Sequence, residues 1–596
     1  MKNREEIKDE YKIDTKSLFE NNQEFEKELD KVSKEINDIT KFNNKLFDGN
    51  NLLECLKLSE SLSRKIMRLY TYAHLNNDFD LSVNIYNEYV GKVIKVYTEY
   101  NSLSSYIVPE LLENDYSIIE KLYEKYPELK KYEVSLKDIY RLKEHTLSKN
   151  EEYIVSKLTS PYASFEDAYS KLKDVELKFG KISYDGKKEE LTPILYSSLI
   201  EHKDRNIRKK AFKQLYKAYK GIINTNSELI TGNIKKDNVL ADVRKYNNAL
   251  EHALLSDDID PKVYDTLLSS IERNISIIHK QWDVFKEELK LKDLHLYDIS
   301  APLVKDYDKK YSVNEAKELI LKSLNVLGDE YTSIIDKAFA DRWIDIYPNK
   351  NKRSGAYCTH CYETHPYVVT NYDEKLYDVS TITHELGHAM QYYYADKENS
   401  YFNATYSIFV AEVASQVNEI LLNLYIINNS NDKEEIKYVY GNLIKQFKGS
   451  VVRQSMFAEF EKIIHEAEAK GTTLSVDYLN NTYYDLNKKY FGKNVVVDED
   501  IKYEWSRIPH FYYNYYVYQY ATGYIAALKI ATEIFNQKEG SLEKYIEFLK
   551  LGCTKDPVGS LKVAGVDLTK EATFDEAFKE FDRQLNEFKK IAEEVV

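Results

Sequence analysis

The chain has 596 residues, with 98 Asp plus Glu against 84 Lys plus Arg and a formal net charge of −14. No basic domain stands apart from this acidic balance, which argues against a protein built to grip nucleic-acid phosphates. Only 18 Gly and 10 Pro interrupt long Leu, Ile, Tyr, Lys and Glu-rich stretches, so a large, mainly α-helical protein is expected, and four cysteines are too few for a disulfide framework.

The first residues, MKNREEIKDEYKIDTKSLF, lack the apolar core of a signal peptide, and no run of about 18 apolar residues follows anywhere. A cytoplasmic protein with no membrane partner is expected. Residues 1–110 read as successive helices forming an N-terminal helical region. Residues 111–195 continue as a helical domain ending in KISYDGKKEELTP, whose Asp185-Gly186 pair signals a hairpin. Residues 196–596 form the third and largest region. Within it, HKDRNIRKKAFKQLYKAYKGI is a basic amphipathic helix with a solvated face. Short strands are expected near 295–300 and within 343–372. Cys358 and Cys361 form a single CxxC with His365 nearby, where a structural zinc site draws on two spaced pairs, so loop or strand thiols are the better reading. Tyr367 to Thr370 alternates as a strand does, and an edge strand there would suit a substrate backbone added to the sheet.

Helices resume after residue 378, and the first carries His384-Glu385-Leu386-Gly387-His388. Composition alone yields about 0.04 matches to His-acid-x-x-His by chance. Asp378 and Ser380 offer N-caps, and Ile382, Leu386, Ala389, Met390 and Tyr393 follow a helical period. On a helix the two imidazoles project from one face about 6 Å apart along the axis, as two ligands of one zinc ion require. Glu385 then stands beside the open metal position as a general base. Gly387 weakens the helix unless a second helix must approach closely there, so a crossing helix is expected.

That helix is expected over Thr405 to Ile427, an apolar run lacking Gly and Pro yet holding Glu412 and Glu419, two turns apart on one face. Glu412 is the candidate third ligand, and Glu419 an acceptor that orients a ligand imidazole. A metzincin layout is excluded because positions 391 and 394 are Gln and Tyr. Asp396 and Glu398 sit in a polar loop and rank lower. Downstream, RIPHFYYNYYVYQYATGY places His510 before a dense run of tyrosines, of which Tyr513, Tyr516 and Tyr520 share a helical face with Tyr512 and Tyr515 beside it. Imidazole N–H and phenol O–H groups suit the oxyanion of peptide hydrolysis, which selects His510, Tyr516 and Tyr520, against an aromatic core stripe as the alternative.

HELGHAM, VAEVASQVNE and RIPHFYYNYYVYQYATG, with KRSGAYC and HPYVVTNYD upstream, resemble the oligoendopeptidase F family, among the thimet-oligopeptidase-like zinc metallopeptidases. The resemblance covers the C-terminal two thirds closely and the N-terminal part more loosely. It implies one zinc ion per chain on His384, His388 and Glu412, Glu385 as general base, and His510 with nearby tyrosines at the transition state. It further implies a helical shell around a deep channel that admits oligopeptide substrates and excludes folded proteins, a small β-sheet near the active site, and 111–195 as the family's N-terminal-type domain before the catalytic region. Endopeptidase action is the expectation. A carboxypeptidase or dipeptidyl carboxypeptidase of the same kind, or a noncatalytic peptide-binding scaffold, is the alternative.

Overall fold

The computed structural model describes residues 2–304 and 307–595, apart from the side chain of Lys149. Helices begin where short polar side chains satisfy the first free N–H groups. The Asp48 carboxylate accepts from Asn51 N–H at 3.0 Å to open Gly49–Phe79. Ser312 and Glu315 cap each other reciprocally ahead of Val313–Leu324. Repeated along a chain with few breakers, such starts give a mainly α fold with three small sheets among the described residues.

Two compact units emerge, each assembled from three stretches of chain. The first takes 1–144, 308–425 and 530–566. Its N-terminal helices, Asn22–Glu35, Gly49–Phe79 and Asn84–Ser104, pack through Phe25, Leu62, Leu69 and Tyr89, all essentially buried. A three-stranded sheet runs in the order Ile344–Asp345, Tyr367–Val369, Tyr357–Thr359, the first pair parallel and the second antiparallel. Tyr367–Val369 is therefore the central strand rather than the expected edge, and the edges are Ile344–Asp345, which is buried, and Tyr357–Thr359, which is half-buried. Buried Asp345 accepts from Arg4 at 2.6 Å and Lys352 at 2.7 Å, tying the N-terminal segment to this sheet.

The second unit takes 145–307, 426–529 and 567–596. Lys181–Tyr184 and Lys187–Glu190 pair antiparallel about Asp185-Gly186, both at positive φ (44° and 75°), the backbone that a two-residue hairpin requires. Arg205–Gly221 buries Phe212, Leu215 and Tyr216, while its lysines face out. Of the strand expected at 295–300, only Leu294–His295 forms, parallel to Val495–Val496. No described helix is long and apolar enough to cross a membrane.

Candidate metal centre

The motif lies on the helix Leu376–Glu398, which begins before the expected caps. Asp378 stands in the first turn and accepts from the N–H of Lys375 at 3.0 Å. Ser380 is one turn inside and donates instead to Glu419 at 2.9 Å. Val379, Ile382, Leu386, Ala389 and Met390 face the core, joined by Tyr394 rather than Tyr393.

Gly387 shows why no side chain fits there. A Cβ would lie 2.5 Å from both the carbonyl oxygen of Ala414 and the Cα of Ser415, so the crossing backbone occupies that space. Asn418 joins the two elements, donating to the Thr383 carbonyl at 3.2 Å and accepting from the Tyr331 hydroxyl at 2.8 Å. The crossing element is not one helix from Thr405. A short helix Ile408–Ala411 stops, Glu412 intervenes, and a second helix runs Val413–Asn429. The break frees the Glu412 side chain from the regular 3.6-residue progression.

The break points the carboxylate at the motif. Glu412 Oε2 is 3.3 Å from His384 Nε2 and 3.5 Å from His388 Nε2. Ligands about 2.0–2.1 Å from a tetrahedral zinc stand about 3.3 Å apart, so both spacings fit that ion. Among the described residues these three form the one group of His, Cys, Asp or Glu side chains close enough to share a metal. On the far side of the His384 ring, Nδ1 is 3.2 Å from Glu419 Oε2, which fixes Nε2 as the atom facing Glu412. Ser415 Oγ, 3.0 Å from Glu412 Oε2, steadies that carboxylate.

Burial favours neutral His384, but hydrogen bonds to Glu412 and Glu419 outweigh it and lift its pKa to about 10. Burial would likewise raise Glu412, yet the hydrogen bonds from His384 and His388 hold it well below the usual carboxylate range. Groups so strongly charge-coupled have protons that a divalent cation would displace. Glu385 is raised by burial, against the pull of His384 and His388, and a raised carboxyl is the stronger base.

His510 and its tyrosines lie in the second unit, and the sequence expectation holds for their grouping but not its cause. His510 sits in a single helical turn, Pro509–Tyr512, and the next regular helix begins only at Tyr518. Between them Asn514 and Tyr515 take positive φ (39° and 59°), so a loop gathers the rings. His510 lies 6.2 Å from Tyr516 and 6.0 Å from Tyr520, centroid to centroid, and Tyr516 is 5.5 Å from Tyr520. Tyr512 and Tyr515 are buried, Tyr512 stacking on Tyr169 at 4.5 Å. Burial, with Lys173 nearby, lowers the pKa of His510, which keeps the ring neutral with one N–H to donate. Cys358 stands on the sheet's edge strand and Cys361 just beyond it. Burial lifts both thiols, Cys361 to about 12, so neither is a reactive thiolate.

The model of peptidase family M3 matches residues 198–580, and that of oligopeptidase F residues 110–179. Oligopeptidase PepF of Bacillus subtilis is 38% identical over 590 residues, covering 99% of this chain and 88% of its own. The chain belongs to the oligoendopeptidase F family of M3 peptidases. The oligoendopeptidase F homolog of Borreliella burgdorferi is 37% identical, covering 99% of this chain and all of its own. Oligoendopeptidase-F of Enterococcus faecium superposes with a TM-score of 0.75 at 30% identity, across 96% of this chain and 99% of that one. As an M3 peptidase the chain acts on peptides, and its three clustered side chains are those that could hold the family's metal.

Proposed function

We propose that this M3 peptidase hydrolyses internal bonds of oligopeptides, with one zinc ion on His384, His388 and Glu412. The observation carrying this reading is the pair of spacings, 3.3 and 3.5 Å, from one Glu412 oxygen to the two imidazole nitrogens. A bound zinc supplies Lewis acidity, polarising a carbonyl and lowering the pKa of an attacking water. Glu385, with its raised carboxyl, takes the proton from that water and returns it to the leaving amine. Glu419 and Ser380 hold His384 in one tautomer and orientation. We assign His510, Tyr516 and Tyr520 the role of hydrogen-bond donors to the oxyanion, which their neutral N–H and O–H groups suit. The names of the curated relatives favour cleavage within the peptide over removal of its end residues.

The test is Glu385→Gln, which keeps the shape of the site and removes the base. It is expected to retain zinc at wild-type occupancy and to lose roughly 10²–10⁴-fold in kcat/KM. Near-normal turnover would remove Glu385 from the role. Fragment mapping on peptides with amidated C-termini separates the modes, since an endopeptidase still cuts them and a carboxypeptidase does not.

A further inference from the structure

The second unit contains a cavity of about 270 Å³ that the peptidase reading leaves without a task. One wall is aromatic and aliphatic, formed by Trp282, Phe491, Tyr490 and Met456, with the Trp282 and Phe491 rings 4.7 Å apart. Lys448, Arg453 and Arg507 also line the cavity. Lys448 and Arg453 are the first and last residues of a π-helical turn, whose i→i+5 bonding brings residues five apart onto roughly one face. Such turns are rare and recur at binding sites.

Charge in the cavity is not balanced. Among the described residues that line it, Glu504 is the one buried carboxylate, and it accepts from Tyr216 at 2.9 Å, Tyr483 at 2.7 Å, Arg453 at 2.8 Å and Arg507 at 3.2 Å. The exposed Glu201 pairs with Lys445 at 3.1 Å. Lys448 donates only to the Ile299 carbonyl, at 2.6 Å, and makes no ion pair among the described residues. The one attractive charge acting on that amine is Glu201, which makes its ion pair with Lys445 instead. A second group is also unmet: Asn487, 1% exposed, lines the cavity with its Oδ1 accepting no hydrogen bond among the described residues, while its amide NH₂ donates to the Tyr483 carbonyl. A buried acceptor left unpaired costs about 1–3 kcal/mol, which a ligand's N–H or O–H would recover.

We propose that this cavity binds a small free carboxylic acid with an aryl or branched-alkyl body and one neutral N–H or O–H, the chemistry of an N-acyl amino acid. The carboxylate meets Lys448 and the two guanidiniums, the apolar body stacks on Trp282 and Phe491, and the neutral donor reaches Asn487. The volume admits a ring and a headgroup and excludes a peptide of several residues. Burial together with Lys445 and Arg453 brings the Lys448 amine down to about 7 against the pull of Glu201, and a carboxylate beside it would restore its charge.

The test is isothermal titration of the full-length chain with N-acetylphenylalanine and, separately, with its primary amide, which keeps the shape and removes the charge. The acid is expected to bind and the amide to bind at least about tenfold more weakly. Lys448→Met should weaken the acid by a similar factor. Gly449→Met, whose side chain enters space where no atom lies within 4 Å of the added Cβ, should block it. Circular dichroism reports whether each variant folds, and the acid-against-amide comparison needs no variant. Equal affinity for acid and amide, no binding of the acid at millimolar concentration, or unchanged affinity in both folded variants overturns the proposal.

Discussion

Glu419 holds the outer side of the candidate metal centre. Its Oε2 takes the outer nitrogen of His384 and its Oε1 takes the Ser380 hydroxyl, so it fixes both the tautomer and the ring plane. Glu419→Ala is expected to weaken zinc about 10–100-fold, read by competition with a chromogenic chelator, while the fold persists. Affinity equal to wild type would strip Glu419 of that role. The motif residues were legible because helix geometry makes a four-residue spacing into a shared face. Glu412 and Glu419 were legible because acids in an apolar run need a partner. Ser380 and Ser415 were not, since a serine serves as cap, turn or donor alike and Ser380's partner lies 39 residues away.

Periodicity exposed the helices but not their interruptions. The stretch around Glu412 is as apolar as a continuous helix, yet it breaks at the residue whose carboxylate stands against two imidazoles, the second of them 24 residues upstream. The run after His510 likewise keeps helical spacing on paper and forms a loop instead, held where buried Glu461 accepts from the Tyr515 N–H at 2.7 Å. Gly387 was readable as a close approach and proved to be one. Gly387→Ala would press a methyl group onto main-chain atoms of Ala414 and Ser415 that cannot swing aside. It is expected to cost about 1–3 kcal/mol or more, seen as a lower Tm together with reduced zinc content. A variant as stable and as metal-rich as wild type would show that the crossing can relax.

At the scale of the molecule, the mainly helical class followed from composition, whereas the membership of each unit did not, because stretches hundreds of residues apart share one core. In the second unit Glu504 gathers Tyr216, Arg453, Tyr483 and Arg507 from four separate elements. Burial opposes its charge, but the two arginines hold the carboxyl down to about 2. A folded-state pKa below the unfolded value of about 4.3 gives stability that is complete above that pH and lost as pH falls toward 2, on the order of 3 kcal/mol in all. Urea midpoints measured across this window should fall for wild type and stay flatter for Glu504→Gln, which starts lower at pH 7 because two guanidiniums lose their counter-ion. Parallel decline of the two proteins would place the acid sensitivity elsewhere.

The interleaving of the units also sets a timetable. The helix Ser541–Lys550 packs on the motif helix, and the Asn399 side chain donates to the Lys550 carbonyl at 2.6 Å. On a ribosome, His384 and His388 emerge well before the segment that backs them has been made. Assembly of the His384, His388 and Glu412 cluster in its final surroundings is therefore a late event in the life of the nascent chain, and a stalled or prematurely ended translation product would carry the two imidazoles without the wall that supports them.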